Sequence, residues 1–153
     1  MSLDEIDRKI LARLQQDARL SNRRLARELG IAESTCLARV ATLLDRGILT
    51  GFHAEVDLSK IGRGVQAHVS LKIRPQALPD AAAFCDYVAD LPDVIAIYMV
   101  TGTADLVAHV AVPSTDALRD FVLSLARREE IADITSSIIY LSRRTKQVPV
   151  SQA

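Results

Sequence analysis

Five arginines, Arg23, Arg24, Arg27, Arg39 and Arg46, fall within residues 21–51. A guanidinium can pair bidentately with guanine or hold a phosphate oxygen. Through the same stretch Leu25 and Leu29, then Leu37, Val40 and Leu44, recur at helical spacing, and the arginines fall largely off that stripe. Gly30 breaks the pattern and Gly47 ends it. A short helix, a tight turn at a glycine and a second helix with basic residues outward is the sequence form of a helix-turn-helix. In such a motif the N-terminal part of the second helix faces base edges in the major groove. Here that part carries Glu33, Ser34, Thr35 and, one turn on, Ala38 and Arg39. The hydroxyls of Ser34 and Thr35 can donate or accept. Arg39 reads either as a base contact or as a phosphate contact, and Arg23, Arg24 and Arg46 read as phosphate contacts. Arg8 and Arg13 are expected to form surface pairs with Asp4, Asp7 or Asp17.

Other chemistry is hard to find. His53, His68 and His109 lie on different predicted strands without metal-ligand spacing. There is no phosphate-binding glycine loop, no cysteine cluster and no nucleophilic triad signature, and nothing pairs the carboxylates in a cleft. We read no catalysis, no cofactor and no metal. Cys36 and Cys85 each sit in an apolar helical pattern and are expected to be buried reduced thiols.

The elements that must position the arginines follow from periodicity. A first helix over residues 3–16 carries Asp4 and Glu5 in its first turn, where carboxylates suit the helix dipole, and an apolar face of Ile6, Ile10, Leu11 and Leu14. Ser21 caps a second helix over residues 22–29, and a third runs over residues 33–46. Their expected core is Ile6, Ile10, Leu14, Leu25, Leu29, Leu37, Val40 and Leu44. Residues 48–57 alternate like an extended linking strand, and residues 58–64 have loop character with two glycines. Residues 65–73 alternate strictly, which predicts a half-buried strand ended by Pro75. Pro79 opens a helix to about residue 90, strands follow over residues 93–100 and 105–112, Ser114 caps a helix to about residue 128, and a last strand covers residues 131–141.

The fold class is therefore α+β. A three-helix, winged-helix-like helix-turn-helix domain occupies residues 1–51, and a linking strand and loop residues 52–64. A ferredoxin-like βαββαβ domain, expected to carry the assembly surface, occupies residues 65–142, and a polar tail residues 143–153. The strand over residues 93–100 has no polar face, so the sheet face without helices is expected to be apolar and to pair with a second copy.

The bulk properties agree with a globular chain. It has 153 residues, 49% hydrophobic and 25% charged, with no Trp. The longest apolar runs, such as residues 94–100, are too short to cross a bilayer, and the N-terminus shows acids rather than an apolar signal core. These features predict a cytoplasmic protein without a membrane partner. Net charge is zero, but residues 1–50 hold nine bases against seven acids. That sign suits a DNA-binding N-terminal part.

The layout resembles the Lrp/AsnC family, and the residues carry the resemblance nearly continuously. Leu3, Asp4, Asp7, Ile10, Leu11, Leu14, Asp17, Arg19, Leu25, Ala26 and Gly30 match its N-terminus, and Cys36, Leu37, Arg39, Val40, Leu43, Gly47 and Ile48 its recognition-helix pattern. The run Val100, Thr101, Gly102, Thr103, Ala104, Asp105 resembles the family's Gly-x-x-Asp turn. The resemblance implies a transcriptional regulator that binds double-stranded DNA as a dimer. It further implies dimers assembling into octamers or similar discs, and a free amino acid or related metabolite bound near that turn. Under that reading Asp105 holds an α-ammonium group, the backbone N–H groups of Gly102, Thr103 and Ala104 hold a carboxylate, and Thr135 and Ser137 supply hydroxyls. The alternative for Asp105 is a turn residue bonding backbone. The family usually has Ser or Thr where this chain has Ala32, at the cap of the recognition helix. Two further function classes stay open: an architectural DNA-compacting protein of the same fold without an effector, and a metabolite-binding module or small enzyme.

Overall fold

A computed structural model describes residues 3–143 and 148–149. The chain divides into two compact units. One runs to Glu55 and takes in the described end of the chain, Arg143, Val148 and Pro149; the other is Val56–Ser142. The expected tail otherwise lies outside the described residues.

The first unit holds three helices, α1 (Glu5–Gln16), α2 (Asn22–Leu29) and α3 (Glu33–Asp45). Asp4 starts α1 with a capping box: its carboxylate accepts from the Asp7 N–H at 2.8 Å, and its own N–H donates to Asp7 at 3.4 Å. Ser21 caps α2 through the Arg24 N–H. Gly30 ends α2 at φ 68°, a left-handed backbone that a side chain would strain, and this lets the Ile31 N–H return to the Ala26 carbonyl at 3.0 Å. Helix α3 begins at Ala32 with no side-chain cap.

The core of this unit is Ile10, Leu11, Leu14, Leu20, Leu25, Ala26, Cys36, Val40 and Leu43. Two expected core residues are corrected: Leu37 is 55% exposed and Leu44 38%. Apolar side chains form one broad stripe on α3, and the helix is rotated so that the row Cys36, Val40, Leu43 faces α1 and α2. The linking strand expected over residues 48–57 is also corrected, since these residues form no strand. Alternation makes a chain able to extend, but a ladder needs a partner strand, and none of the described residues supplies one. A single turn of 3-10 helix follows at Leu58–Ile61.

The second unit carries β1 (Val65–Ile73), a 3-10 turn (Pro75–Asp80), α4 (Ala81–Ala89), β2 (Val94–Met99), β3 (Leu106–Val112), α5 (Thr115–Ala126) and β4 (Ile131–Ile138). Helix α4 starts later than Pro79 because Pro75 and Pro79 favour the tighter turn before it. The sheet order is β2-β3-β1-β4 with every pair antiparallel, the ferredoxin-like arrangement. Ala67, Val69, Leu71 and Ile73 alternate onto the helix-covered face with Leu106, Ala108 and Val110, against Phe84 and Val88 of α4 and Leu118, Phe121 and Leu125 of α5. Cys85 is half-buried and Cys36 fully buried, both as free thiols.

The open face differs from expectation. On β1, β3 and β4 it bears Gln66, His68, Ser70, Lys72, His109, Asp133, Thr135 and Ser137, with Val107 and Ala111 of β3 as its apolar members, so on these strands it is mainly polar. Exposed apolar groups collect instead along the β2 edge, at Ile95, Tyr98, Met99 and Val100, and after β4 at Tyr140 and Leu141.

Candidate nucleic-acid and effector sites

Helix α3 is fixed to α1 by an ionic contact. The Arg39 guanidinium donates through Nη1 to Asp4 Oδ2 at 2.6 Å and to Asp7 Oδ1 at 2.8 Å. These are the two carboxylates of the capping box, and their charge converges on one cation. The Asp7 N–H first, and Arg39 second, hold the Asp4 carboxyl below its ordinary value. Arg39, expected at the DNA, is therefore engaged within the unit. Arg13 does not pair with Asp4, Asp7 or Asp17: its Nε and Nη2 donate to Glu28 on α2 at 2.9 and 2.7 Å. The cation that Asp4 and Asp7 take comes from α3, a partner that local spacing along α1 could not reveal.

The remaining expected DNA contacts separate into groups. Arg24 donates to Glu28 at 3.1 Å from an exposed position. Arg23 and Arg27 are exposed and pair with nothing among the described residues. Arg46 is exposed at the C-terminal end of α3. Opposite the buried row of α3 lie Ser34, Ala38 and Ala41, flanked by Thr35 and Thr42, all exposed. The Thr42 hydroxyl donates to the Ala38 carbonyl at 2.9 Å. Beside this surface Leu37, Leu44 and Phe52 line an open apolar cleft of about 570 Å³ with Leu14 and Leu20.

In the sheet unit the β2–β3 turn exposes Gly102 and Thr103, with Ala104 half-buried. The Asp105 main chain closes its own turn, its carbonyl accepting from the Val100 N–H at 2.9 Å, but its carboxylate bonds outside the turn. Its Oδ1 accepts from Lys72 Nζ and its Oδ2 from the Ile73 N–H, both at 2.8 Å, and its own N–H donates to the Leu71 carbonyl at 2.9 Å. The ammonium of Lys72, then the Ile73 N–H, push the Asp105 carboxyl below its ordinary value. Lys72 stands opposite Asp133, Ser70 opposite Thr135, and His68 opposite Ser137. Thr135 thus lies one same-face position from the Lys72–Asp105 pair, while Ser137 stands beside His68, whose ring meets that of His109 on its other side with ring centres 5.4 Å apart. Sequence reasoning missed Lys72 and Asp133. In the sequence, Lys72 is one more polar residue of an alternating strand, and only the register places it beside the turn.

An exposed helix-turn-helix joined to a sheet domain with a polar face and a sensor-type turn defines a class: a DNA-binding regulator with a second, ligand-binding domain. Comparison with known proteins narrows this. Residues 3–44 match the AsnC-type helix-turn-helix domain and residues 66–149 the Lrp/AsnC ligand binding domain. The chain is 37% identical over 139 residues to the transcriptional regulator AldR of Mycolicibacterium smegmatis, covering 90% of this chain and 81% of that protein. It is 32% identical over 152 residues to the transcriptional regulator AzlB of Bacillus subtilis, covering 98% and 97%. Among solved structures, a Neisseria meningitidis transcriptional regulator in complex with L-Met superposes with a TM-score of 0.85 at 30% identity, over 96% of this chain and 97% of that one. The protein belongs to the Lrp/AsnC family of transcriptional regulators.

Proposed function

We propose that this protein is a cytoplasmic, sequence-specific DNA-binding regulator whose assembly or DNA affinity responds to a free amino acid or a related small metabolite. The observation that carries the reading is the presence in one chain of an exposed recognition helix and of a sensor turn whose acid, Asp105, is already positioned by Lys72 and Ile73. Arg23 and Arg27, with Arg24 and Arg46, hold phosphates, and Ser34 and Thr35 meet base edges. An α-ammonium group can compete with Lys72 for Asp105, and the amides around Gly102, Thr103 and Ala104 can take the carboxylate. Thr135 and Ser137 offer hydroxyls from the same face or from a neighbouring copy. A homodimer, or a ring of dimers, brings two recognition helices to one duplex, and effector acts by preferring one assembly. No step in this reading is catalytic.

The test is fluorescence anisotropy on promoter duplexes with each of the common amino acids added in turn. We expect salt-sensitive binding and a shift in midpoint with a subset of them. Absence of DNA binding even at low salt, where cationic contacts are strongest, sinks the reading. A second reading has one observation in its favour. Each oxygen of the Asp105 carboxylate already accepts a hydrogen bond from within the unit, from Lys72 and from Ile73, and this suits a structural role for Asp105 in an architectural DNA-binding protein with no effector. DNA binding with no calorimetric heat from any amino acid selects that reading.

A further inference from the structure

We propose that α3 selects its DNA site through thymine methyl groups, with Ala38 and Ala41 and the side chains of Ser34, Thr35 and Thr42 as the reading surface, and not through guanine. This deepens the regulator reading above and rests on it. Direct readout of guanine in the major groove takes an Arg or Lys reaching O6 and N7, and adenine takes the carboxamide of Asn or Gln. The outward face of α3 offers neither. Its row Ser34, Ala38, Ala41 and the flanking Thr35 and Thr42 end in methyls or short hydroxyls. Arg39, the cation nearest that face in sequence, is turned to α1 and held by Asp4 and Asp7 at 2.6 and 2.8 Å. Thr42 donates its hydroxyl to its own helix at Ala38, which leaves its methyl as the group without a hydrogen bond to make.

The hydroxyls of this surface can bond any base, but its methyl groups have one specific complement in the major groove. Of the four bases only thymine presents an apolar group there, its C5 methyl, and Ala and the Thr methyl pack against it. Short side chains also let the helix backbone lie close to the base edges, so methyl–methyl contact is within reach. The affinity comes mainly from elsewhere, from cations that neutralise phosphates: Arg23 and Arg27 are exposed and unpaired among the described residues. Division of labour follows. α2 grips the backbone without regard to sequence, and α3 sorts sites by methyl pattern.

The experiment uses the full chain and a randomised duplex pool. The enriched site is remade with each thymine replaced in turn by deoxyuridine, which removes only the methyl, and with each guanine replaced by 7-deazaguanine, which removes N7. Removing one buried methyl should weaken binding about fourfold, at two or more positions per half-site, while 7-deazaguanine should leave affinity unchanged. Sensitivity to 7-deazaguanine with indifference to deoxyuridine overturns the inference, as does a site indifferent to both. Retention of the pool without enrichment also overturns the inference, whereas failure to retain any duplex at low salt removes the DNA-binding reading itself, which separates the two failures.

Discussion

In the helical unit charged side chains tie one helix to another, whereas in the sheet unit the ties between helices and sheet are apolar. Arg39 joins α3 to Asp4 and Asp7, and Arg13 joins α1 to Glu28. The sheet instead meets α4 and α5 through Val69, Leu71, Val88, Leu106 and Leu125, each almost fully buried. The difference teaches how to count cations in a small DNA-binding unit. Beside its apolar core, Arg13 and Arg39 each bond a carboxylate on another helix, so these two arginines serve as struts. The excess of bases over acids in residues 1–50 is then not an excess available to DNA. Arg23 and Arg27 remain open, and Arg39 does not.

The largest expected effect tests whether the two cores are separate. Leu43, 1% exposed, sits in the helical core, and Leu125, also 1% exposed, in the sheet core. Leu43→Ala should cost about 2–5 kcal/mol in the helical unit only, and Leu125→Ala a similar amount in the sheet unit only. Leu37→Ala, on a residue 55% exposed, should change stability by less than about 0.5 kcal/mol. Urea unfolding followed by amide exchange in each unit reads this out. If Leu43→Ala lowers protection in both units together, the comparison breaks, and the chain unfolds as one.

The same contrast governs what the sequence made legible. In the sheet unit the alternation of β1 and the helical faces of α4 and α5 each had one apolar side, and the observed core follows it. In α3 the residues Cys36, Leu37, Val40, Ala41, Leu43 and Leu44 form one stripe nearly half the helix circumference wide, so periodicity could not decide which edge of it meets the core. The packing of α1 and α2 decided it, and Leu37 and Leu44 came out exposed. The linking strand failed for a related reason: alternation at residues 48–57 is local, whereas a ladder is tertiary. The partner of Asp105 was hidden likewise, because Lys72 is more than thirty positions away in the chain and only register joins them. What was legible at the candidate sites was therefore residue identity and the turn. Who holds whom was not.

A middle-sized effect sharpens the view of the helical unit. Helices α1 and α2 carry side-chain caps from Asp4 and Ser21, and α3 has none. Ala32 already holds the extended backbone of a cap, φ −66° and ψ 145°. Ala32→Ser should therefore stabilise the helical unit by about 1 kcal/mol without rearrangement. The check is the urea midpoint of that unit. An unchanged midpoint would mean that water satisfies the free N–H groups of α3 as well as a hydroxyl does.

The smallest effect compares two depressed carboxyls, one in each unit. Asp4 is held below its ordinary 3.8 chiefly by the Asp7 N–H and secondly by Arg39. Asp105 is held below the same value chiefly by Lys72 and secondly by the Ile73 N–H. In both cases the pKa of the folded state is the lower one, so each carboxylate contributes stability that is present above 3.8 and lost as pH falls through the folded value. Acid thus weakens both contacts, in the window beneath pH 3.8 rather than near neutrality. Salt should separate them. A backbone dipole at a helix cap is local and weakly screened, whereas the Lys72 side chain is 44% exposed and its charge is open to counterions. Raising ionic strength from about 0.1 M to about 1 M, where the screening length shrinks to about 3 Å, should move the Asp105 pKa further back toward 3.8 than that of Asp4. Carboxyl-carbon NMR titration at the two salt levels measures both shifts in one sample. Equal movement would show that Asp105, like Asp4, is governed by its backbone donor, and that Lys72 is free to release it to a ligand.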